Sequence, residues 1–289
     1  MWERRTDLAA ESIDLAKKDQ KNLGELKGVR SRERHLGEFS LTEVEIFTTE
    51  GAKRVGKPKG RYITMELPQQ QVRQQFDAAV AVLSAELHSL LPSSARSVLV
   101  MGLGNAGLTA DALGPLAVRH VIPTRHLKEL PFPAAIAVHG AEVVGKTGIE
   151  AAEQAVALSK TVGAEAVILI DALAARAVER LCTTVQLADS GLVPGSGVGN
   201  HRMALNEETL GVPVVAIGVP TVVEGASLVM DLLEEAGASL PERETLRQGF
   251  FVTPKEIDEQ VQQLSRLIGW SINGAVLGFS TAESAALLG

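Results

Sequence analysis

Three short runs of almost uniformly apolar residues place the strongest constraint on the fold of this chain. They cover residues 97–102, 166–171 and 213–219, and stretches with helical periodicity separate them, among them residues 111–120 and 150–162. Short apolar runs without polar alternation are typical of strands that are buried on both faces. The sequence therefore predicts an α/β fold of three layers, in which helices cover both faces of a mostly parallel sheet.

Antiparallel structure is predicted on the N-terminal side of this sheet. Residues 42–48 and 61–66 alternate polar and apolar positions, as a half-buried antiparallel pair does. Residues 1–37 are charged and polar, so we expect an arm rather than part of the core. Helices are also predicted at residues 71–90, 222–235, 254–268 and 271–288, and a strand at residues 134–138. We expect one α/β domain with an N-terminal antiparallel elaboration.

Composition excludes several classes of function. Aromatic residues make up only 3% of the chain and the formal net charge is −7, which argues against nucleic-acid partners and against an anionic membrane surface. The single cysteine, Cys182, cannot build a disulfide framework or a thiolate zinc cluster, and we expect it to be buried as a small apolar residue. Neither a signal peptide nor a membrane span is evident, so a cytoplasmic protein is predicted.

A glycine loop directly follows the first apolar run. Its pattern, Gly102-x-Gly104-x-x-Gly107, is that of a loop that binds the pyrophosphate of a dinucleotide. The acidic residue expected about 20 positions further on is missing, although Arg125 lies in that region and suits a 2′-phosphate. A Rossmann-like nucleotide-binding enzyme is therefore one interpretation of this loop.

Two aspartates give the second interpretation. Asp111 follows the glycine loop and Asp171 ends the second apolar run. If the two strands are neighbours, both carboxylates project into the crevice at the carboxyl edge of the sheet, where a pair can activate water. Asp111 can instead be a helix N-cap, whereas a carboxylate after buried strand residues must be paired, hydrogen-bonded or functional. The six histidines are scattered without a His-Glu-x-x-His pair, so no metal site is predicted.

Two further loops carry suggestive motifs. Asp189-Ser-Gly matches the motif of pepsin-like proteases, but those are all-β, so we expect a turn here. Residues 194–200 are rich in glycine, which suits a backbone that lines a substrate groove, and the candidates are Gly195, Ser196, Gly197 and Asn200. The Gly-Ser-Gly context of this serine is not that of a nucleophile elbow, so a serine hydrolase is not predicted.

Long blocks of the chain closely resemble the germination protease (spore protease) family, in order and over nearly the whole length. Among them are Met101-Gly-Leu-Gly-Asn105, Asp111-Ala-Leu-Gly-Pro115, Ile170-Asp-Ala-Leu-Ala-Ala-Arg176, Asp189-Ser-Gly-Leu-Val-Pro-Gly-Ser-Gly-Val-Gly-Asn200 and Ala216-Ile-Gly-Val-Pro-Thr-Val-Val223. The resemblance implies a fold like that of hydrogenase maturation proteases, a homotetramer and no cofactor. It implies small acid-soluble spore proteins as substrates, a location in the forespore or spore core, and catalytic aspartates at Asp111 and Asp171.

The resemblance also implies a zymogen that removes its own leader. Family cleavage sites favour an acidic residue before the bond, a large apolar residue after it and alanine next, which matches Asp7, Leu8 and Ala9. We therefore expect a propeptide of residues 1–7 and a protease domain of residues 8–289. As a working hypothesis Asp171 is the water-activating base and Asp111 its partner, but the sequence leaves open which does which. The short leader and the short region 229–250 depart from the family pattern.

Overall fold

The computed structural model describes residues 6–19, 26–67, 69–127, 129–195, 202–238 and 249–288. In these residues the helices are α1 (Ala9–Asp19), α2 (Thr49–Val55), α3 (Gln69–Gln74), α4 (Phe76–Leu90), α5 (Leu113–Ala117), α6 (Val144–Thr147), α7 (Ala151–Val162), α8 (Glu207–Leu210), α9 (Gly225–Glu235), α10 (Ile257–Leu277) and α11 (Thr281–Leu288). The strands are β1 (Val29–Leu36), β2 (Phe39–Ile46), β3 (Gly60–Glu66), β4 (Ser97–Leu103), β5 (Ala135–Ala141), β6 (Ala166–Ala175), β7 (Thr184–Ala188), β8 (Val214–Glu224) and β9 (Phe251–Val252). Short 3-10 turns cover Thr109–Asp111, Val118–His120 and Val178–Arg180.

One mixed sheet joins all the described strands in the order β1-β2-β3-β7-β8-β6-β4-β5, with β9 paired to the end of β8. The strands β8, β6, β4 and β5 are parallel and form the predicted parallel sheet. The antiparallel strands β7, β3, β2 and β1 extend it at the β8 side. The predicted antiparallel pair, residues 42–48 and 61–66, is therefore confirmed as β2 and β3.

Helices cover both faces of this sheet, which confirms the three-layer α/β prediction. The long helix α10 packs with α4 and α5 on one face, where they bury the side chains of Ile168 and Ile170. The opposite face buries Val167 and Leu169 against α7 and α8. This alternation within β6 explains why the run is apolar throughout, because neither face of the strand meets water.

The central strands continue beyond their predicted ends. Strand β6 extends to Ala175 and β8 to Glu224, because the two strands keep pairing past Asp171 and Gly218. Asp171 therefore lies within a strand, and α9 begins at Gly225 rather than at residue 222. The sheet edge that holds the site is consequently longer than the sequence suggests.

Four predicted helices differ in their bounds or continuity from those observed. Residues 254–288 form two helices, as predicted, but the break lies at residues 278–280 rather than near residue 270, since α10 continues from Ile257 to Leu277 and α11 covers Thr281–Leu288. Gly269 does not break it; a Cβ there would lie 2.4 Å from the Cβ of His120, so this glycine permits a close approach. The predicted helix 111–120 consists of the short α5 between two 3-10 turns, and the predicted helix 71–90 consists of α3 and α4.

Residues 1–37 are not simply an arm. Helix α1 packs on the sheet through Ala9, Ile13 and Ala16, which are buried against Val44 and Tyr62. The charged residues of this helix gave it the sequence pattern of an exposed segment, although every third or fourth position is apolar. Strand β1 does behave as predicted for a surface element, because most of its residues are exposed at the sheet edge.

Strand β4 and helix α5 approach each other closely at Gly102. A Cβ on this residue would lie 2.1 Å from the carbonyl oxygen of Gly114, and a backbone atom cannot move aside as a flexible side chain can. Gly140, directly opposite on β5, has no atom closer than 3.8 Å to the corresponding position. Gly102, the first glycine of the loop, therefore allows β4 and α5 to pack closely against each other.

We predict that Gly102→Ala lowers the free energy of unfolding by about 1–3 kcal/mol, the usual cost of overpacking a core. The matched substitution Gly140→Ala should be neutral or raise stability slightly, since alanine is better tolerated than glycine in a strand. Urea unfolding followed by circular dichroism measures both values. Equal effects of the two substitutions would contradict the packing role of Gly102.

Candidate active site

The structure brings the two predicted aspartates to one cavity at the carboxyl edge of the parallel sheet. Strands β4 and β6 are direct neighbours, so the loop after β4 lies beside the second half of β6. Asp171 is a residue of β6 that is only 8% exposed, and Asp111 ends the 3-10 turn after the glycine loop. Both line a cavity of about 490 Å³.

The glycine loop positions Asp111. Its Oδ2 accepts a hydrogen bond from the backbone N–H of Asn105 over 2.8 Å. Gly104 has a φ of +125°, and a Cβ there would lie 2.1 Å from the carbonyl oxygen of Asp111. The hydroxyl of Thr221 on β8 donates to the carbonyl of Ala110 over 2.6 Å and fixes the turn from the other side. The Asp111 carboxylate thus bonds to the loop before it, and α5 has no side-chain cap.

The same contacts argue against a phosphate in this loop. The Asn105 N–H already binds the Asp111 carboxylate, and the Gly107 N–H binds the side chain of Asn105 over 2.9 Å. A carboxylate beside these donors repels a pyrophosphate instead of attracting it. The loop geometry favours the two-aspartate interpretation over the nucleotide-binding alternative.

Burial and charge act strongly on Asp171. Its pKa is raised well above the ordinary aspartate value, first because the carboxyl is buried and then because Asp111 and Asp7 place negative charges near it. The N–H of Ala172, which donates to Oδ1 over 3.0 Å, and the charge of Arg202 oppose this shift without cancelling it. The Asp171 carboxyl consequently keeps a proton at pH values where an exposed aspartate has lost it.

The pKa of Asp111 is also raised, mainly by burial and to a smaller extent by Glu142. The hydrogen bond from Asn105 and the charges of Arg202 and Lys146 lower it. Arg202 also lines the cavity and so acts on both carboxyls. Two carboxyls in one cavity with different degrees of burial release their protons in two steps.

The predicted cleavage site lies in the same place. The N–H of Asp7 donates to the carbonyl of Ala174 on β6 over 2.9 Å, and the N–H of Ala174 donates to Asp7 Oδ2 over 2.9 Å. Asp7 lines the cavity together with both catalytic candidates, Asp111 and Asp171. Leu8, the next residue, is completely buried.

Three side chains at this site were missed by the sequence analysis. Arg202 lines the main cavity, and Lys57 and Gln186 line a second cavity of about 190 Å³ that shares Asp7 and Asp171 with it. Gln186 carried a usable signal, because it is an amide between two apolar residues of the short strand β7, and an amide in that position must find hydrogen-bond partners when it is buried. Lys57 lies in a basic turn whose position in space the sequence does not give.

Of the other candidate residues named from the sequence, some lie within the described part of the chain and some outside it. Gly195 lines both cavities, whereas Ser196, Gly197 and Asn200 lie outside the described residues. Asp189-Ser-Gly is a turn, as predicted. Cys182 is buried, as predicted, and burial raises the pKa of its thiol to about 12.

Two broader findings concern the described part of the chain. No three His, Cys, Asp or Glu side chains within it are grouped so that they could hold a metal ion. Within the same residues no helix has the length and apolar character needed to cross a membrane.

Comparison with known proteins gives a family. Residues 7–243 match the family model described as germination protease. The germination protease of Clostridium perfringens is 36% identical over 319 aligned positions, which cover 96% of each chain. That of Priestia megaterium is 43% identical, over 80% of this chain and 66% of its own. A solved structure, the NiFe hydrogenase maturation protease HycI of Thermococcus kodakarensis, aligns with a TM-score of 0.38 and 20% identity, over 65% of this chain and 99% of its own. The chain belongs to the germination protease family.

Proposed function

We propose that this germination protease is an aspartate-dependent endopeptidase that first cuts its own chain between Asp7 and Leu8. One observation carries the proposal: Asp7, the residue before this bond, lines the same cavity as Asp111 and Asp171. A family cleavage motif and two carboxyls, one buried and one half-buried, therefore occur together within one chain. Residues 1–7 are then the propeptide and residues 8–289 the protease domain.

The different burial of the two carboxyls supports distinct roles. Asp171 is the deeper one, and the charge of Asp111 raises its pKa further, so Asp171 holds the proton while Asp111 is ionised. Asp111 then acts as the base and Asp171 as the acid. This reverses the working hypothesis from the sequence, in which Asp171 was the base, because the extension of β6 places Asp171 inside the sheet.

In the proposed reaction protons move only between these two carboxyls, water and the peptide. Asp111 takes a proton from water as the water oxygen attacks the carbonyl carbon of Asp7, whose oxygen becomes an oxyanion. The carbonyl re-forms as the bond to the Leu8 nitrogen breaks, and that nitrogen receives the proton of Asp171. The products are the carboxyl group of Asp7 and the free amine of Leu8. Transfer of a proton from Asp111 to Asp171 restores the starting state.

Contacts on both sides of the bond support the expected sequence preference. The Asp7 carboxylate accepts the Ala174 N–H and lies near the ammonium of Lys57, whose pKa burial lowers while Asp7 and Glu11 oppose that shift. An acidic side chain before the bond suits this surrounding.

The two residues after the bond are equally enclosed. Leu8 packs into an apolar cluster with Ala175, Leu181 and Val223. Ala9 has no exposed surface and lies at the start of α1 in a separate cluster, where a larger side chain would overpack the contact. A large apolar residue followed by alanine fits these positions.

The position of Asp7 also gives the intact chain a reason to be inactive toward other proteins. The residue lines the cavity beside both carboxyls and pairs with Ala174, so a second peptide cannot bind there while it remains. Cleavage releases residues up to Asp7 and opens that part of the cavity. We propose that the cleaved protein forms a homotetramer and degrades small acid-soluble spore proteins in the spore core. The substrate, the location and the assembly rest on family membership alone.

The proposal predicts that Asp111→Ala and Asp171→Ala each slow self-cleavage at least ~100-fold, the usual contribution of a general acid or base. Mass spectrometry of the purified chain, incubated with a small acid-soluble spore protein, measures leader removal and substrate cleavage together. Cleavage is expected between Asp7 and Leu8.

Asp189→Ala is the matched control, because this aspartate is also partly buried, has a raised pKa and lies in the Asp-Ser-Gly turn outside the cavity. It should leave cleavage within a few-fold of the unmodified chain. Leader removal by the Asp111→Ala chain at the normal rate would disprove the assignment.

A second prediction follows from the raised pKa of Asp171. Ionising this carboxyl is unfavourable in the folded chain, where it is buried, but not in the unfolded chain, where it is exposed. The free energy of unfolding therefore carries no penalty below the ordinary aspartate pKa of about 4, and the penalty grows as pH rises above that value. Asp171→Asn, which removes the charge, should therefore raise the free energy of unfolding by roughly 0.5–2 kcal/mol at pH 8 and by little at pH 4.

Denaturant unfolding at both pH values measures this gain. Asp258→Asn is the control, since this aspartate is exposed in the first turn of α10, where its charge interacts favourably with the helix dipole. A gain for Asp171→Asn that is equal at pH 4 and pH 8 would show that Asp171 is not a buried group of raised pKa.

A further inference from the structure

Gln186 contacts the segment on both sides of the bond that we propose is cut. Its Nε2 donates to the carbonyl oxygen of Asp7 over 3.1 Å, and its Oε1 accepts the N–H of Ala9 over 2.7 Å. The second contact fixes the orientation of the amide, because a backbone N–H can only donate and must therefore meet the oxygen. The amide nitrogen accordingly faces the carbonyl that water would attack.

The sheet places Gln186 on the same side as Asp171. Asp171 of β6 lies opposite Gly218 of β8, and Gly218 lies opposite Gln186 of β7. Residues opposite each other on paired strands project from the same face, so Asp171 and Gln186 face one cavity with a glycine between them. Both line the cavity of about 190 Å³ that also includes Asp7.

This placement meets the requirement for stabilising a developing negative charge. The donor is buried, being 7% exposed, and its two hydrogen bonds hold it in position before the reaction begins. Preorganised donors in a site that excludes water are worth far more than the same groups in solution. The Asp7 oxygen gains its negative charge as water attacks, which is when the hydrogen bond strengthens.

We propose that Gln186 is a third catalytic residue, whose Nε2–H stabilises the oxyanion formed on the carbonyl at the bond that is cut. The inference rests on the proposed cleavage between Asp7 and Leu8. It adds no proton transfer to that reaction: Gln186 keeps its protons, and the charge that it stabilises disappears when the carbonyl re-forms.

A purely structural role would be to hold the N-terminal segment in place. Several other contacts do this already, including the pairing of Asp7 with Ala174, the bond from Lys57 Nζ to the Thr6 carbonyl over 2.9 Å, and the burial of Leu8. Loss of the Gln186 amide should therefore leave the segment bound. The two roles differ in whether cleavage slows while the segment stays in position.

The test compares self-cleavage rates of full-length chains by mass spectrometry. Gln186→Met, which keeps the length of the side chain and removes the donor, should slow cleavage about 10²–10³-fold. Ser12→Ala is the matched control, because Ser12 is equally buried and its hydroxyl donates to the carbonyl of Leu8 over 3.0 Å, one peptide beyond the cut. It should change the rate less than about threefold.

Hydrogen exchange at the amides of Ile13 to Ala16 reports whether α1 remains packed in each chain. The proposal expects unchanged protection in Gln186→Met. Normal cleavage by this variant, or slow cleavage accompanied by loss of that protection, would overturn the catalytic role. If the unmodified chain is never cut between Asp7 and Leu8, the proposed function and this inference fail together. If the unmodified chain is cut there and Gln186→Met is cut at the same rate, the inference alone fails.

Discussion

The burial of one carboxyl inside a parallel sheet is the constraint on which the rest of the site depends. Asp171 lies within β6 and away from water, so its charged form is disfavoured, and the neighbouring charge of Asp111 disfavours it further. Two glycines accompany it: Gly218 lies opposite Asp171 on β8, and Gly104, directly after β4, permits the close approach of the Asp111 backbone. Strand pairing thus assembles a pair of carboxyls with unequal proton affinity from residues far apart in sequence.

The N-terminal segment has two roles in this account. It completes the fold, because Leu8 and Ala9 are fully buried and α1 packs against the sheet. It also presents a peptide bond to the site in a fixed position, which removes the entropic cost of bringing substrate and catalytic groups together. Such an arrangement suits a cut that happens once in each chain. It also explains why the contacts around Asp7 resemble those expected for a bound substrate.

The parts of the structure that the sequence predicted follow from local patterns, whereas most of the parts that it missed follow from contacts between residues far apart in the chain. The apolar runs predicted the parallel strands, and the adjacency of their carboxyl ends then predicted the meeting of Asp111 and Asp171. The continuation of β6 beyond Asp171 depends on its pairing with β8, which no local pattern encodes. Gln186 and Lys57 reach the site because the antiparallel strands join the same sheet, and α1 was misjudged because its charged residues concealed a narrow apolar face. Long-range strand pairing, rather than residue type, decided the end of β6 and the positions of Gln186 and Lys57.

Titration of the two carboxyls tests the central claim most directly. Carbon-detected NMR of the aspartate side chains in the uncut chain, compared with its Asp111→Asn variant, follows each proton separately. The account predicts that Asp171 binds its proton at a higher pH than Asp111 does, and that the pKa of Asp171 falls when the neighbouring charge is removed. Two independent titrations near the ordinary aspartate value, unaffected by the substitution, would contradict it.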